Sequence, residues 1–281
     1  MMNNNNSTNN DAIHVKNMDG LCYLNTYIKD NSIDLILTDP PYIISKDTGM
    51  NRHYNKIQKN IQNGVKYVKT EKEWIQYKQK NDIVDDKYKD KYMKYGTIYG
   101  QKYCIRTHYG DWDVNFTLEL LEKYIAQYYK KLKKGGTVII FFDVWKITPL
   151  KLLLEKYKFK QIRLIEWIKT NPQPRNSRFN YLTNCREIAL TAVKKSKPIF
   201  NSYQDNGLYF FPLQTTNRNH CAQKNEELFE ELIKKHSNEN DVVLDTFLGS
   251  GTTLIACKNT NRQFRGCEIS AKYFETIKTF I

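Results

Sequence analysis

The tetrapeptide Asp39-Pro40-Pro41-Tyr42, which follows the apolar run 33–38, has the polar atoms and the rigidity that a site for a primary amine requires. Two consecutive prolines fix φ and remove two backbone donors, so the carbonyl oxygens project from the end of the predicted strand. The Asp39 carboxylate and the Pro40 carbonyl then form adjacent acceptors for two N–H groups, which turns the nitrogen lone pair toward an electrophile. Tyr42 supplies a ring on which an unstacked base could lie. An ordinary turn after a strand is the alternative interpretation.

A second motif lies about two hundred residues later. The apolar run Val242–Leu244 predicts a short buried strand, and a glycine-rich turn follows it before a helix from Leu254 to about Asn259. Gly249 and Gly251 in this turn allow positive φ and a close approach of the backbone, which a bulky cofactor at a sheet edge requires. Strand, glycine-rich turn and helix together predict a cofactor-binding unit.

The next predicted strand, Gln263–Cys267, delivers the carboxylate of Glu268. In a doubly wound sheet an acid about 20 residues after the glycine turn holds the diol of a ribose. Thr252 and Thr253 stand where a phosphate-binding loop would have Lys-Ser/Thr. The motif therefore predicts a nucleoside cofactor without phosphates, and S-adenosylmethionine fits better than ATP or NAD.

The two motifs, in this order, resemble the amino-methyltransferases of DNA in their β-type arrangement, in which the catalytic tetrapeptide precedes the cofactor loop. The resemblance covers about residues 13–45 and 109–281 and includes three further segments: 134–141, 167–174 and 220–224. It implies an α/β fold with a doubly wound, mostly parallel Rossmann-like methyltransferase sheet in circularly permuted motif order. It also implies direct in-line methylation of the amine, with no covalent enzyme intermediate.

Carried over residue by residue, the resemblance assigns roles to three groups of side chains. The catalytic residues are Asp39, Pro40, Pro41 and Tyr42. The residues around the methionine end of S-adenosylmethionine are Asp245, Phe247, Gly249, Ser250, Gly251 and Thr252, and Glu268 holds the ribose hydroxyls. Gln223 and Lys224 match the segment before the cofactor helix, although Asn225 stands where the family usually has proline.

Asp19 resembles the acid that contacts the adenine of the cofactor in this family. The alternative is that Asp19 caps a helix beginning near Leu21, because aspartate is a favoured N-cap residue.

The loop 171–179 resembles the family's loop beside the flipped base. Two prolines stiffen it, and Arg175 and Arg178 could hold phosphates bidentately. Asn171 and Lys169 complete the predicted DNA-binding set, with an ordinary solvated charge as the alternative for Lys169.

Residues 46–108 interrupt the α/β pattern with 15 Lys and Arg against seven Asp and Glu, an excess of eight positive charges, and with eight tyrosines. Basic residues interleaved with aromatics suit contacts to phosphates and exposed bases. A disordered insertion is the alternative, against which stand four aromatic residues that a solvated loop would not need: Trp74, Tyr77, Tyr95 and Tyr99. Target recognition is expected from 46–108, from 202–219 or from a partner subunit, because few residues separate Lys195 from His220.

At 281 residues the chain is expected to form one methyltransferase domain over 13–281, preceded by a disordered Asn-rich tail at 1–12. The formal net charge of +14 favours an acidic partner such as duplex DNA, although an AT-rich genome also enriches lysine. No apolar run is long enough to span a membrane, and the N-terminus is unlike a secretory signal. A cytoplasmic, DNA-associated protein is therefore expected, and a homodimer or a partner subunit is left open.

Six cysteines without a Cys-x-x-Cys pair are typical of buried free thiols in a reducing compartment. Cys221, His220 and His236 do not match a familiar zinc-binding spacing, so no metal site is expected.

Helical periodicity predicts one helix through Leu118, Leu121, Ile125, Tyr128 and Leu132, ended by Gly135-Gly136, and a second through Leu228, Phe229, Leu232 and Ile233. The segments 161–168 and 187–193 are predicted to be antiparallel strands at one edge of the sheet.

Together these features predict an S-adenosylmethionine-dependent methyltransferase that acts on the N6 amine of adenine in a short sequence of duplex DNA after base flipping. N4 of cytosine is the main alternative, although those enzymes more often carry Ser in place of Asp39. RNA enzymes tend to have Trp in place of Tyr42, and glutamine methylases Asn in place of Asp39, so both are disfavoured. A catalytically silent DNA-binding subunit is the remaining alternative, and the intact motifs argue against it.

Overall fold

The structure is a computed structural model that describes residues 12–44, 49–100, 111–172, 182, 184–214 and 223–281. The chain forms two compact units. One contains the residues up to Tyr42 together with Thr117–Ile281, and the other is Ile43–Phe116.

The larger unit is built on a sheet of eight strands. In chain order they are β1 Ile13–Asn17, β2 Ile33–Thr38, β3 Leu132–Phe142, β4 Lys160–Lys169, β5 Arg186–Val193, β6 Leu208–Phe211, β7 Val242–Asp245 and β8 Gln263–Glu268. The spatial order is β1-β8-β7-β2-β3-β5-β4-β6, and β5 alone runs antiparallel to its neighbours. The predicted mostly parallel α/β sheet is confirmed.

Both faces of this sheet are covered. Leu35 and Leu37 share a buried cluster with Phe229 and Leu232, while Ile36, which points to the opposite face, is also fully buried. The helices of this unit are α1 Gly20–Tyr27, α6 Leu118–Lys131, α7 Ile147–Lys156, α8 Glu226–His236, α9 Thr252–Asn259 and α10 Ala271–Ile277. Burial on both faces is the pattern of a doubly wound fold.

The helix predicted through Leu132 ends one residue earlier, at Lys131, which corrects the expectation that Gly135-Gly136 terminates it. Leu132 is already extended and pairs with Ile33 at the start of β3. The register between β2 and β3 then shifts before Leu35 pairs with Thr137, and Gly135, at φ 83°, lies in this irregularity. Gly135 therefore belongs to an irregularity within the strand, because its backbone adopts a conformation that other residues avoid.

Strands β4 and β5 are antiparallel, as predicted, but they do not form the edge of the sheet. The short strand β6 adds to β4 in parallel and takes the edge position. The amphipathic helix predicted through Leu228 and Ile233 is α8, which buries both residues.

The smaller unit contains α2 Gly49–Gln62, α3 Glu71–Lys80, α4 Lys89–Tyr95 and α5 Asp111–Val114. Trp74 is 1% exposed, stacks on Tyr77, packs at a tilt against Tyr92, and donates a 2.8 Å hydrogen bond from its indole nitrogen to Asp86. The described residues of the basic insertion therefore have a small core of their own, and Trp74 belongs to that core.

In the part of the chain that the structure describes, no helix combines the length and the apolar character needed to cross a membrane.

Candidate active site and cofactor site

Four neighbouring parallel strands carry the predicted site residues at their carboxyl ends. Asp19 follows β1, Glu268 ends β8, Asp245 ends β7 and Asp39 follows β2, and these strands lie side by side as β1-β8-β7-β2. From β2 the chain continues to β3 on one side, whereas from β7 it continues to β8 on the other. The site thus lies at a topological switch point, where open α/β sheets bind their ligands.

The Asp39 carboxylate is held through one of its two oxygens. Its Oδ2 lies 2.9 Å from the ammonium of Lys224. Its Oδ1 is shielded from solvent and has no hydrogen-bond partner among the described residues. Pro40 and Pro41, the next two residues, are both buried. A buried acceptor without a partner is costly, so Oδ1 is an acceptor position for a donor that binds here.

Lys224 lies at the centre of the predicted catalytic residues. Its ammonium contacts Asp39, donates to the Tyr42 hydroxyl at 3.0 Å, and donates to Oε2 of Glu187 at 2.5 Å. It also lies 5.2 Å from the centroid of the Tyr42 ring, whose edge packs against Phe142. Three partners use all three ammonium hydrogens. The structure therefore places Lys224, which was expected to bind the cofactor, directly against the predicted catalytic tetrapeptide.

These contacts change the protonation of each member. Burial raises the pKa of Asp39, and the Lys224 ammonium opposes that rise. Burial alone would lower the pKa of Lys224, but the carboxylates of Asp39 and Glu187 outweigh it and hold that pKa well above its usual value. Burial also raises the pKa of the Tyr42 hydroxyl well above 10.0. Lys224 therefore stays charged and Tyr42 stays neutral.

Glu187 is a site residue that the sequence did not reveal. It lies near the start of β5 and pairs with Trp167 of β4. Since β5 runs antiparallel, its first residues reach the edge at which the other strands end. Oε1 of Glu187 lies 2.6 Å from Lys169, and Oε2 binds Lys224. Burial alone would raise the pKa of Glu187, but the two ammonium groups lower it. A polar residue opening an otherwise apolar strand was the available signal.

The cofactor turn is anchored by Asp245, which is 2% exposed. Its carboxylate accepts hydrogen bonds from the hydroxyls of Thr38 and Thr253, at 2.7 and 2.6 Å, and from the backbone N–H of Phe247 at 3.0 Å. Burial raises the pKa of Asp245 to about 6. Asp245 thus fixes the turn on which other residues of the predicted cofactor set lie.

The remaining turn residues form an open backbone cradle. Gly249 and Gly251 have φ of 55° and 90°, and a Cβ added at Gly249 would meet no atom closer than 3.9 Å. The hydroxyls of Ser250 and Thr252 lie 3.1 Å apart, and the Phe247 ring centroid lies 4.7 Å from that of Tyr124. No lysine or arginine occurs between 245 and 252, which suits a cofactor without phosphates.

Glu268 closes this cradle from the next strand. Its Oε2 accepts from the backbone N–H of Gly249 at 2.7 Å, and its Oε1 accepts from that of Ser270 at 2.8 Å. Burial raises its pKa, and these two donors oppose the rise. Each carboxylate oxygen has further acceptor capacity, so the geometry fits a carboxylate that also receives a ribose diol.

Two residues flanking the cradle act as helix caps. The Asp19 carboxylate accepts from the Cys22 N–H at 3.0 Å, which confirms it as the N-cap of α1. Asn225 caps α8 by accepting from the Leu228 N–H at 2.8 Å, a bond that a proline there could not make. Gln223, two residues before that cap, is buried.

Of the predicted DNA-binding residues, the structure describes Lys169 and Asn171. Lys169 is bound to Glu187, as described above, and lies 5.3 Å from the Trp167 ring. The Asn171 side chain bonds the backbone of Leu213 through both its oxygen and its nitrogen, which joins the ends of β4 and β6. Arg175 and Arg178 lie outside the described residues.

His220 and Cys221 also lie outside the described residues. His236 packs on Phe200, and burial lowers its pKa to about 4.

The predicted acceptor for an amine lies at the switch point of a doubly wound sheet, beside a turn that suits a nucleoside cofactor without phosphates. This combination is typical of cofactor-dependent group transferases. A family model described as DNA methylase matches residues 33–279. The chain therefore belongs to the DNA methylase family of N6 and N4 amino-methyltransferases.

Individual DNA methyltransferases are similar to the chain in sequence and in structure. The type II methyltransferase M.HpaI of Haemophilus parainfluenzae is 28% identical over 254 residues, which cover 89% of this chain and 68% of that protein. M2.MboI of Moraxella bovis is 29% identical over 268 residues, covering 90% and 82%. The crystal structure of the M1.HpyAVI–SAM complex is similar with a TM-score of 0.61 at 27% identity, covering 96% of this chain and 100% of that one.

Proposed function

We propose that this protein is a site-specific type II DNA methyltransferase that methylates the N6 amine of adenine in duplex DNA. Methylation of an exocyclic amine of DNA follows from the family. The type II relatives support site specificity. Asp39 supports adenine as the target base, since aspartate is the commoner residue at this position among the adenine-methylating enzymes that the sequence resembles.

The observation that carries this proposal is the arrangement of acceptors around Asp39. Oδ1 of Asp39 is buried without a described partner, and the Pro40 carbonyl follows it at the end of β2. An adenine amine carries two N–H groups, and two acceptors at the end of a rigid Pro-Pro segment would bind both. The base must leave the duplex stack to reach them, and the Tyr42 ring lies beside them as a stacking surface.

The cofactor is S-adenosylmethionine, which when bound supplies an electrophilic methyl group on a sulfonium sulfur. The turn around Gly249 and Gly251 would hold its methionine end, Glu268 its ribose hydroxyls, and Asp19 and Gln223 the remaining polar groups. The amine gains a methyl group and must release one proton. Oδ1 of Asp39, on a carboxylate whose pKa burial raises, is placed to accept that proton.

We assign contacts with the DNA backbone to the unit 43–116. Several of its lysines are exposed and lie beside tyrosine rings, among them Lys66 by Tyr67 and Lys94 by Tyr95. Such residues bind phosphates and stack on exposed bases without specifying sequence by themselves.

The test is methyl transfer from methyl-labelled cofactor to genomic DNA, followed by digestion to nucleosides. N6-methyladenine is the expected product, and N4-methylcytosine as the sole product would refute the adenine assignment. Competition between duplex DNA and structured RNA in the same assay checks the substrate class. The control is Asp39→Ala, which is expected to bind the cofactor with nearly unchanged affinity and to transfer no methyl group.

A further inference from the structure

The four charged side chains Lys169, Glu187, Lys224 and Asp39 form a chain of alternating sign at the carboxyl edge of the sheet. Successive members are 2.6, 2.5 and 2.9 Å apart. Lys224 is the most buried of them, with 7% of its side chain exposed, and Glu187 has 19% exposed. Desolvating so many charges is costly unless each is paired, and the alternating signs give every one of these four side chains a neighbour of opposite charge.

Within this row of charged side chains, the two oxygens of Asp39 have different surroundings. Oδ2 is fixed by Lys224, whereas Oδ1 has no partner among the described residues. Since Lys224 also binds the Tyr42 hydroxyl, one ammonium sets the orientation of the acceptor and of the ring beside it. Glu187 in turn fixes Lys224 from the antiparallel strand.

We propose that Lys224 and Glu187 are positioning residues for methyl transfer. Lys224 occupies Oδ2 of Asp39, so that Oδ1 alone faces the target amine, and Glu187 holds Lys224 in that position. This inference rests on the proposed function, in which Asp39 receives the amine. Positioning of Asp39 differs from the cofactor-binding role that the sequence predicted for Lys224. The two roles predict different effects of a Lys224 substitution on kcat and on cofactor affinity.

The same ammonium governs the charge of Asp39. The groups that face Asp39 are Lys224, Glu187 and Tyr42, together with Asp245 at the end of β7. Lys224 is the cation among these four. Without it, Asp39 shares a buried site with two other carboxylates, and the pKa of Asp39 rises further. Because Asp39 can take the proton of the amine only when it is ionised, activity is lost as pH falls through its pKa. In a variant without Lys224 this acid limb moves to higher pH.

The decisive variant is Lys224→Met, compared with Lys235→Met as a matched control. Lys235 is also a partly buried lysine held by two carboxylates, Asp205 and Glu231, and it lies 4.5 Å from the centroid of the Tyr209 ring. Both variants lose a comparable buried ion pair, but only Lys224 touches Asp39. We expect kcat to fall about 100-fold in Lys224→Met, the scale of a misplaced reacting group. In Lys235→Met it should stay within about twofold.

Two further readouts separate positioning from cofactor binding and from folding. Calorimetry should show nearly unchanged cofactor affinity in Lys224→Met; a loss of affinity matching the loss of activity would overturn the inference in favour of a cofactor contact. The double variant Lys224→Met/Glu187→Gln removes one charge of each sign and restores the local charge balance, but Asp39 still lacks Lys224, so the low kcat should persist. Recovery of wild-type kcat in the double variant would also overturn it.

The protonation of Asp39 is measured without cofactor or DNA, by carbon-13 NMR titration of labelled aspartate carboxyls, with the Asp39 signal identified from an Asp39→Asn variant. The midpoint should move to higher pH in Lys224→Met and stay in place in Lys235→Met; an unchanged midpoint together with unchanged kcat contradicts the inference. If the wild-type protein transfers no methyl group to DNA, the proposed function fails separately, and this titration still decides whether Lys224 controls Asp39.

Discussion

The Thr38 hydroxyl donates a 2.7 Å hydrogen bond to Oδ1 of Asp245, 207 positions later in the sequence. Both side chains are buried. Thr38 directly precedes Asp39, and Asp245 opens the glycine-rich turn, so this one bond joins the proposed catalytic segment to the proposed cofactor segment. The bond can form because β2 and β7 are parallel neighbours in which Ile36 pairs with Leu244. Their carboxyl ends therefore lie side by side.

Removing this bond should destabilise the fold. In Thr38→Val the shape of the side chain is kept, but Asp245 loses one of three donors in a buried position. We expect the free energy of unfolding to fall by about 1–3 kcal/mol, measured by urea denaturation.

The matched control is Thr137→Val on the neighbouring strand β3. Thr137 is 1% exposed, and its hydroxyl has no hydrogen-bond partner among the described residues. Replacing an unsatisfied hydroxyl with a methyl group should be neutral or stabilising. Equal losses in the two variants would show that the Thr38 hydroxyl has no special role.

Asp245 also gives stability a defined pH dependence. Burial raises its pKa to about 6, whereas an unfolded aspartate titrates near 3.9. Between about pH 4 and about pH 6 the folded protein keeps a proton that the unfolded chain releases, so this group's contribution to unfolding free energy decreases as pH rises. Asp245→Asn cannot titrate. The stability of the wild type relative to this variant should therefore fall by about 3 kcal/mol across that window, and a constant difference would contradict the assignment.

The carboxylate of Glu268 should contribute to cofactor affinity through two routes. In Glu268→Gln one oxygen becomes an N–H donor that faces the backbone N–H of Gly249 or Ser270, and the ribose diol loses an ionised acceptor. The loss of a hydrogen bond to a charged group predicts a Kd for S-adenosylmethionine that is about 10- to 100-fold higher by calorimetry. Glu275→Gln, an exposed carboxylate on α10 paired with Lys278, should leave that Kd unchanged.

The left-handed backbone of Gly251 permits a paired test of the cradle. Alanine at φ 90° is strained, and its Cβ would lie 3.3 Å from the Phe280 ring. Gly64 has φ 69° with no atom within 4 Å of an added Cβ, so Gly64→Ala isolates the backbone cost of about 1–2 kcal/mol. Gly251→Ala should lose at least as much stability and also cofactor affinity. An unchanged cofactor Kd in Gly251→Ala would place the cofactor elsewhere.

The strands that carry the site were predictable because their sequences are short apolar runs that end at polar motifs. The run 33–38 is β2 with the predicted bounds, and the predicted strands at 242 and 263 each extend by one residue to include Asp245 and Glu268. Since parallel neighbours end at a common edge, the structure then brings the carboxylates that end or follow these strands to that edge.

Glu187 and the true position of Lys224 were not predictable in the same way. A glutamate at the start of an apolar strand is compatible with a solvated end, and only the antiparallel direction of β5 brings it to the site. Lys224 lies in an irregular segment before α8, where no periodicity fixes the direction of a side chain. Its partners follow from tertiary packing of β2 and β5, which local patterns do not encode.

DNA binding through the unit 43–116 predicts a specific salt dependence. Lys66 and Lys94 are exposed, and we take each to neutralise one phosphate of the DNA. When both are changed to glutamine, the slope of the logarithm of the DNA association constant against the logarithm of the salt concentration should become less steep by about 1.8. The control removes the same charge from the other unit with Lys151→Gln/Lys278→Gln, two exposed lysines paired with Glu155 and Glu275. Fluorescence anisotropy on a DNA duplex at several salt concentrations measures both slopes. A specific contact changes the first slope alone, whereas equal changes would mean that net charge, and not the unit 43–116, attracts the DNA.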